Sequence, residues 1–296
     1  MPDFPIIDSH VHFWDTGRLR YPWLATVPKI DRPFGLEDYR AATVGTEVEA
    51  MVFVQAEAAP EQGLEEADWV AGLARRDPRI RALVAWAPLD RGRRVEAHLE
   101  AVSRHAFLRG IRQNIQAQPD LDFCLRPDFV EGVRMLGDFD LSFDICVDHR
   151  HMENAVRLAE KAHAVPMVLD HIGKPAIRDG ALDPWRSHLR ELAAMPHVLC
   201  KLSGVATEAD HENWKDSDLR PFIDQALEAF GPDRLMFGSD WPVVTLAASY
   251  ERWIAVLDDA LSPLPPADRR KIWRDNAARF YRLGDTPRHS SERWNP

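Results

Sequence analysis

Asp8, His10 and His12 occupy alternate positions in the run Ile6-Ile7-Asp8-Ser9-His10-Val11-His12. On a strand, that spacing turns their side chains to one face. Two imidazoles so spaced at a strand end suit paired metal ligation or hydrogen bonding to a carbonyl. Near the other end of the chain, Leu235-Met236-Phe237-Gly238-Ser239-Asp240-Trp241-Pro242 finishes an apolar run on a carboxylate. Met236, Gly238 and Asp240 alternate, so Asp240 can point toward the histidines and act as a general base. Helix capping explains Asp240 less well, because Pro242 intervenes before the next helical pattern.

His171 closes a third apolar run and is suited to polarising a carbonyl or shuttling a proton. Its neighbour Asp170 has the opposite parity and is expected to face the outer helices. Arg112, Asn114 and Gln116 also alternate, and read as donors that orient a substrate, with Arg112 able to hold a carbonyl, hydroxyl or carboxylate oxygen. The structural alternative pairs Arg112 with Glu57. Glu57 shares its parity with Gln55 and could be ligand, counter-ion or base. Trp86 and Trp241 could wall a ring or belong to the core. With Lys174, just past His171, these residues form the expected substrate-binding set. His149, His151 and His211 follow strands or sit in a loop and rank below them. The sequence has no Gly-x-Ser-x-Gly elbow and no Cys beside an evident His partner, which favours attack by activated water over a covalent nucleophile.

The elements that must position these side chains are eight short runs rich in Val, Ile, Leu and Phe, at 5–12, 50–57, 81–88, 108–114, 141–147, 165–171, 198–203 and 234–240. Such runs suit strands buried on both faces of a parallel sheet. Helical patterns lie between or after them, at 63–76, 95–106, 129–139, 152–163, 184–195, 219–230, 248–261 and 266–282. This alternation predicts an α/β fold, a single-domain (β/α)8 TIM barrel over 1–283, followed by a polar tail at 284–296. A doubly wound sheet is the alternative, weakened by the lack of a Gly-rich nucleotide loop after any run. Two long connections, 13–34 and 204–218, leave strand ends and are expected to act as lids.

The chain has 296 residues and a formal net charge of −10, which argues against nucleic acid or an anionic membrane as partner. Its apolar runs are too short to span a bilayer, and the N-terminus lacks a basic region followed by a long apolar stretch. The three cysteines are far apart in sequence, so a disulfide framework is not expected and a reducing cytoplasm is the simplest location. A homo-oligomer is left open.

Asp8-Ser9-His10-Val11-His12-Phe13-Trp14, Leu169-Asp170-His171-Ile172-Gly173-Lys174-Pro175 and Met236-Phe237-Gly238-Ser239-Asp240-Trp241-Pro242 together resemble the amidohydrolase superfamily. More narrowly, the chain is similar to its metal-dispensable lactonase branch, whose members open L-fucono-, L-rhamnono- and dicarboxylate lactones. Tyr21-Pro22-Trp23-Leu24, Arg32-Pro33-Phe34 and Gly110-Ile111-Arg112-Gln113-Asn114 fit the sugar-lactone members best. The resemblance implies a distorted barrel that hydrolyses a sugar-acid lactone. Asp240 would deprotonate water, His171 with His10 and His12 would polarise the carbonyl, and Arg112 would hold substrate oxygens. Metal-dependent superfamily members supply a further His or Lys from a middle strand, whereas 142–147 has neither. His10, His12 and Asp240, with Glu57 as a fourth, would make a zinc-type site that can bind a divalent ion without turnover requiring it. The rival readings are a zinc-dependent decarboxylase of an aromatic or muconate-like acid, a dicarboxylate-lactone hydrolase and a non-catalytic sugar-binding barrel.

Overall fold

Branched and aromatic residues dominate the strand sequences, and almost all of them are buried, as a sheet covered on both faces requires. A computed structural model describes residues 2–116 and 118–284. Its strands are β1 (Ile6–Val11), β2 (Val48–Val54), β3 (Ile80–Ala85), β4 (Leu108–Ile111), β5 (Ser142–Ile145), β6 (Met167–Leu169), β7 (Val198–Leu202) and β8 (Leu235–Phe237). They form one sheet in sequential order, with every neighbouring pair parallel. The ring closes just past β8. There Val11 bridges Trp241, the His12 N–H donates to the Trp241 carbonyl (2.8 Å), and the Asp240 N–H donates to the His10 carbonyl (2.9 Å). The result is a distorted (β/α)8 barrel.

The helices that follow the strands in turn are α1 (Leu36–Ala42), α2 (Gly63–Arg76), α3 (Glu96–Val102), α4 (Pro127–Met135), α5 (Met152–Lys161), α6 (Trp185–Ala193), α7 (Asp216–Phe230) and α8 (Tyr250–Leu261). The expected pattern lacks α1. That helix has only seven residues, of which Leu36 and Tyr39 are buried, and its start is fixed locally by the Gly35 N–H donating to the Asp38 carboxylate. The final helix expected over 266–282 is instead α9 (Pro266–Arg270), a π-helical turn at Lys271–Asp275 and α10 (Asn276–Phe280). The tail expected over 284–296 lies, apart from Gly284, outside the described residues. Among the described residues, no helix is long and apolar enough to cross a membrane.

Two apolar groups hold the barrel. The larger one joins the outer strand faces to the helices. The smaller one fills the barrel's interior with Ile7, Val52, Val54, Val84, Val168, Leu199 and Met236, and Ala277, Phe280 and Tyr281 close it from one end. Polar ties place that plug under the N-terminal ends of the strands. Arg274 pairs with Glu49 at the start of β2 (2.7 Å), and Asn276 Nδ2 donates to the Pro232 and Leu235 carbonyls (both 2.7 Å) at β8. The opposite, C-terminal mouth remains for chemistry.

Tyr281 contributes both a buried ring to the plug and a hydroxyl donated to Asp144 Oδ2 at 2.9 Å. Tyr281→Ala is therefore expected to destabilise the fold by about 3–5 kcal/mol, as removal of a large buried aromatic does. Replacing Val44, which is 78% exposed, with Ser should change stability by less than about 0.5 kcal/mol. Denaturant midpoints of the two variants compare them directly.

Candidate active site

A bulge in β1 decides which of its polar residues reach the mouth. Asp8 pairs with Met51 but Val11 with Phe53, so three steps on β1 oppose two on β2. The alternation therefore resets, and Asp8 does not share a face with the histidines. Asp8 points to the helical layer, where it accepts hydrogen bonds from the Tyr39 hydroxyl (3.0 Å), the Tyr250 hydroxyl (3.1 Å) and the Ser239 N–H (2.8 Å). Burial raises its carboxyl to about 6 despite these donors.

His10 and His12 turn inward with their Nε2 atoms 3.1 Å apart, and Asp240 Oδ1 lies 3.7 and 3.3 Å from them. His171 Nε2 approaches the same oxygen at 3.9 Å. The imidazoles of β1 and of the loop after β6 thus converge with a carboxylate from the end of β8. Two glycines make room. A Cβ on Gly204 would lie 2.5 Å from His171 Nδ1, and one on Gly238 would lie 2.8 Å from the His10 Cβ.

Hydrogen bonds assign roles to the ring nitrogens. His12 Nδ1 is 2.7 Å from the Val54 carbonyl, which can only accept, so the proton sits on Nδ1 and Nε2 offers a lone pair. Neutral His12 is thus an acceptor or ligand, and the carbonyl-polarising role expected of it does not fit this tautomer. His171 Nδ1 lies 2.9 Å from Ser203 Oγ, leaving Nε2 to face the mouth. Burial holds all three imidazoles below their usual range, and hence neutral. Burial pushes the Asp240 carboxyl up, but positive charge around it, the Lys174 ammonium included, outweighs burial, and Asp240 stays below its ordinary value.

Beneath the imidazoles lies a layer of charges of which the expected site held only Arg112. Lys201 Nζ, fully buried, sits 2.6 Å from Asp144 Oδ2, 2.9 Å from Asp170 Oδ1 and 3.1 Å from His10 Nδ1. Arg112 Nη1 reaches Asp170 Oδ2 at 3.2 Å, and its Nη2 donates to the Gln55 carbonyl at 2.5 Å. Asp170 accordingly faces inward, contrary to its parity, because β6 ends at Leu169 and His171 and Ile172 both adopt positive φ. The partner of Arg112 is Asp170 rather than Glu57. Burial opposes ionisation of Asp170, yet Lys201, His10 and Arg112 keep its carboxyl well below the usual range. One signal for this layer was available: Lys201 and Asp144 are charges inside runs otherwise buried on both faces, and such charges need partners.

The remaining expected residues divide. Asn114 is buried, and its Oδ1 has no hydrogen-bond partner. Glu57 adopts φ 57° at the end of β2 and stands in neither of the two donor clusters described below. Lys174 faces Glu208 at 3.8 Å. Trp86 lies against Gly63 and the His98 ring, at the starts of α2 and α3. Trp241 is core, with Phe13, Phe34 and Tyr39 at centroid distances of 5.8, 5.6 and 5.2 Å. The connection at 13–34 is packed through Trp14 and Phe34 onto that ring, making a wall rather than a free lid. His151 is buried between Asp148 and the Gln118 carbonyl, and His211 is exposed, bonded to the Thr207 carbonyl. Burial pushes the Cys146 thiol up to about 12, which removes it as a nucleophile.

Two sets of donor atoms lie within 4.8 Å of one another, His10 with His12 and Asp240, and His10 with Asp170 and His171. In the first set the His12 lone pair already faces inward and a backbone carbonyl fixes the ring. Two imidazoles and a carboxylate around an open position fit a divalent ion such as zinc. Glu57 as a fourth ligand does not fit, since it lies outside the cluster.

Comparison with known proteins agrees with this geometry. Residues 7–283 match the amidohydrolase family model Amidohydro_2. The chain is 40% identical to an L-fucono-1,5-lactonase of Burkholderia multivorans over 94% of this chain and 96% of that one. It is 32% identical to an L-fucono-1,5-lactonase of Burkholderia ambifaria over 94% and 95%. A crystal structure of a Burkholderia multivorans amidohydrolase with bound zinc superposes with a TM-score of 0.85 at 39% identity, over 95% of this chain and all of that one. The match runs the whole length of a barrel whose mouth gathers two histidines at the end of β1, a histidine after β6 and an aspartate after β8, and the chain belongs to the amidohydrolase family.

Proposed function

We propose that the protein hydrolyses a sugar-acid lactone of the L-fucono-1,5-lactone type to its hydroxy acid, with Asp240 as the general base. The observation that carries this reading is the convergence of His10, His12 and His171 on Asp240 Oδ1, all within 3.9 Å. The lactonase relatives at 40% and 32% identity favour lactone opening over decarboxylation.

A water beside the ionised Asp240 gives up its proton to that carboxylate as its oxygen bonds to the lactone carbonyl carbon. Asp240 is suited to this, because its neighbours keep it ionised across the neutral range. With the Ser203 hydroxyl donating to Nδ1, His171 presents an Nε2–H to the oxyanion that develops. Arg112, fixed by Asp170 and the Gln55 carbonyl, adds positive charge on the other side. Collapse of the tetrahedral intermediate breaks the ring C–O bond, and the proton held by Asp240 passes to the departing oxygen. The hydroxy acid then ionises, so turnover releases a proton. A divalent ion held by His10, His12 and Asp240 would supply Lewis acidity to the carbonyl. A lactone is an activated ester, so fixed donors and one base suffice for its turnover.

Asp240→Asn is expected to lower kcat by about 100-fold or more, with a smaller change in KM, as loss of a general base does. Proton release from aldonolactones, followed with a pH indicator, measures it; unchanged turnover would sink the assignment. The acid limb of kcat should fall below the ordinary Asp value of 3.8, since activity needs the ionised carboxylate and that group titrates low. A rate profile losing half its activity near pH 6 would contradict this. Zinc titrated into chelator-treated protein should bind at the histidine pair. His12→Ala should weaken that binding by more than the roughly 10- to 100-fold caused by disturbing an outer partner. Chelated wild type should keep most of its turnover, and complete loss restored only by zinc would make the ion essential.

A further inference from the structure

Lys174 and Glu208 are charged side chains, 17% and 25% exposed, that meet across the mouth from the loops after β6 and β7. Their Nζ–Oε1 separation of 3.8 Å is an ion pair but too long for a hydrogen bond. Neither side chain makes a hydrogen bond within the described residues, so three ammonium donors and the carboxylate's acceptor sites are unspent. Both positions are fixed by backbone. The Lys174 N–H donates to the His171 carbonyl (2.9 Å), and its own carbonyl accepts from the His149 N–H (3.1 Å). Glu208 ends the short turn Ala206–Glu208, which follows Gly204, the residue packed against the His171 ring. The pair is thus tied to the loops that place His171. Asp240 acts electrostatically on both partners, with Arg112 and Cys146 also near Lys174, and Asp148 and His149 near Glu208.

We propose that Lys174 and Glu208 form a hydroxyl clamp that selects neutral polyhydroxylated lactones and disfavours anionic ones. A hydroxyl oxygen set between the two charges accepts from Lys174 and donates to Glu208, which a carboxylate or sulfonate substituent cannot do. Such an anion can pair with Lys174 but must then lie against the Glu208 and Asp240 carboxylates, and it leaves Glu208 without a donor. The clamp rests on the lactonase reading above and adds to it the residues that select the substrate.

The test compares kcat/KM of the full-length protein on three probes: a neutral aldono-1,5-lactone, the unsubstituted six-membered δ-valerolactone, and a lactone bearing a carboxylate. In Glu208→Gln and in Lys174→Met, the preference for the aldonolactone over δ-valerolactone should fall about 10- to 100-fold, mostly through KM, the range for lost hydrogen bonds to charged groups. Glu208→Gln should also raise the rate on the anionic lactone relative to δ-valerolactone. If either variant lowers both neutral substrates in parallel, or if the preference survives in both, the clamp is wrong. Wild type that opens δ-valerolactone but not the aldonolactone overturns the clamp and leaves a lactonase. Wild type that opens none of the three overturns the lactonase reading itself.

Discussion

Lys201 is the charge on which the rest of the site depends. Three carboxylates, Asp144, Asp170 and Asp240, are buried in and beneath one barrel mouth. Lys201 Nζ meets two of them at 2.6 and 2.9 Å, and Arg112 meets Asp170 from the other side. Removing one partner of such a buried pair typically costs about 3–5 kcal/mol, because the other charge is left stranded. Burial alone would discharge Lys201, but Asp144 and Asp170 hold its ammonium protonated. The same ammonium faces His10 Nδ1 and adds to the burial that keeps His10 neutral. At His10, burial and Lys201 thus outweigh the opposing pull of Asp170.

The backbone at the mouth serves the same end. Glu57, His171, Lys174 and Asp240 follow three different strands, and each adopts a positive φ, between 45° and 59°. For residues with a Cβ, that conformation costs roughly 1–2 kcal/mol each. At His171 and Asp240 it turns a side chain off the strand's alternation and into the site, where the two come within 3.9 Å. Closure of the ring by the backbone bonds of His12 to Trp241 and Asp240 to His10 holds the last of these turns in place. The apolar interior and the plug around Tyr281 supply the packing against which that strain is maintained.

The barrel was legible because apolar runs and helical patterns alternate along nearly the whole chain, and His10, His12 and Asp240 were legible as mouth residues because each closes an apolar run. Period-2 reasoning failed where the ladder ends or slips. The runs expected over 108–114, 165–171 and 234–240 stop as strands at Ile111, Leu169 and Phe237, so parity beyond them carries no information. Asp170 was placed outward for this reason, and the bulge before Val11 sent Asp8 to Tyr39 and Tyr250 instead of to the histidines. The partners of Lys201 come from β5 and the β6 loop, more than thirty residues away in sequence, and no local pattern encodes such pairing. Trp241 looked equally suited to wall or core, and its three aromatic neighbours make it core.

The neighbours of the His10 ring decide which of its nitrogens carries the proton. When Lys201 donates to Nδ1, the His10 proton sits on Nε2 and points to the His12 lone pair 3.1 Å away. His12 in turn donates from Nδ1 to the Val54 carbonyl, so every ring nitrogen of the pair is satisfied by protein groups alone. When His10 instead places its proton on Nδ1, that N–H faces Asp170 Oδ1 3.3 Å away at ion-pair distance, and both Nε2 lone pairs lie near Asp240 as a ligand set. A carboxylate behind a ligating imidazole is the usual arrangement for raising its basicity. An ammonium in the same place opposes it. Arg112 Nη1, which can only donate, lies 3.3 Å from His10 Nε2 and favours a lone pair there, so the His10 tautomer is balanced between Lys201 on one side and Asp170 and Arg112 on the other.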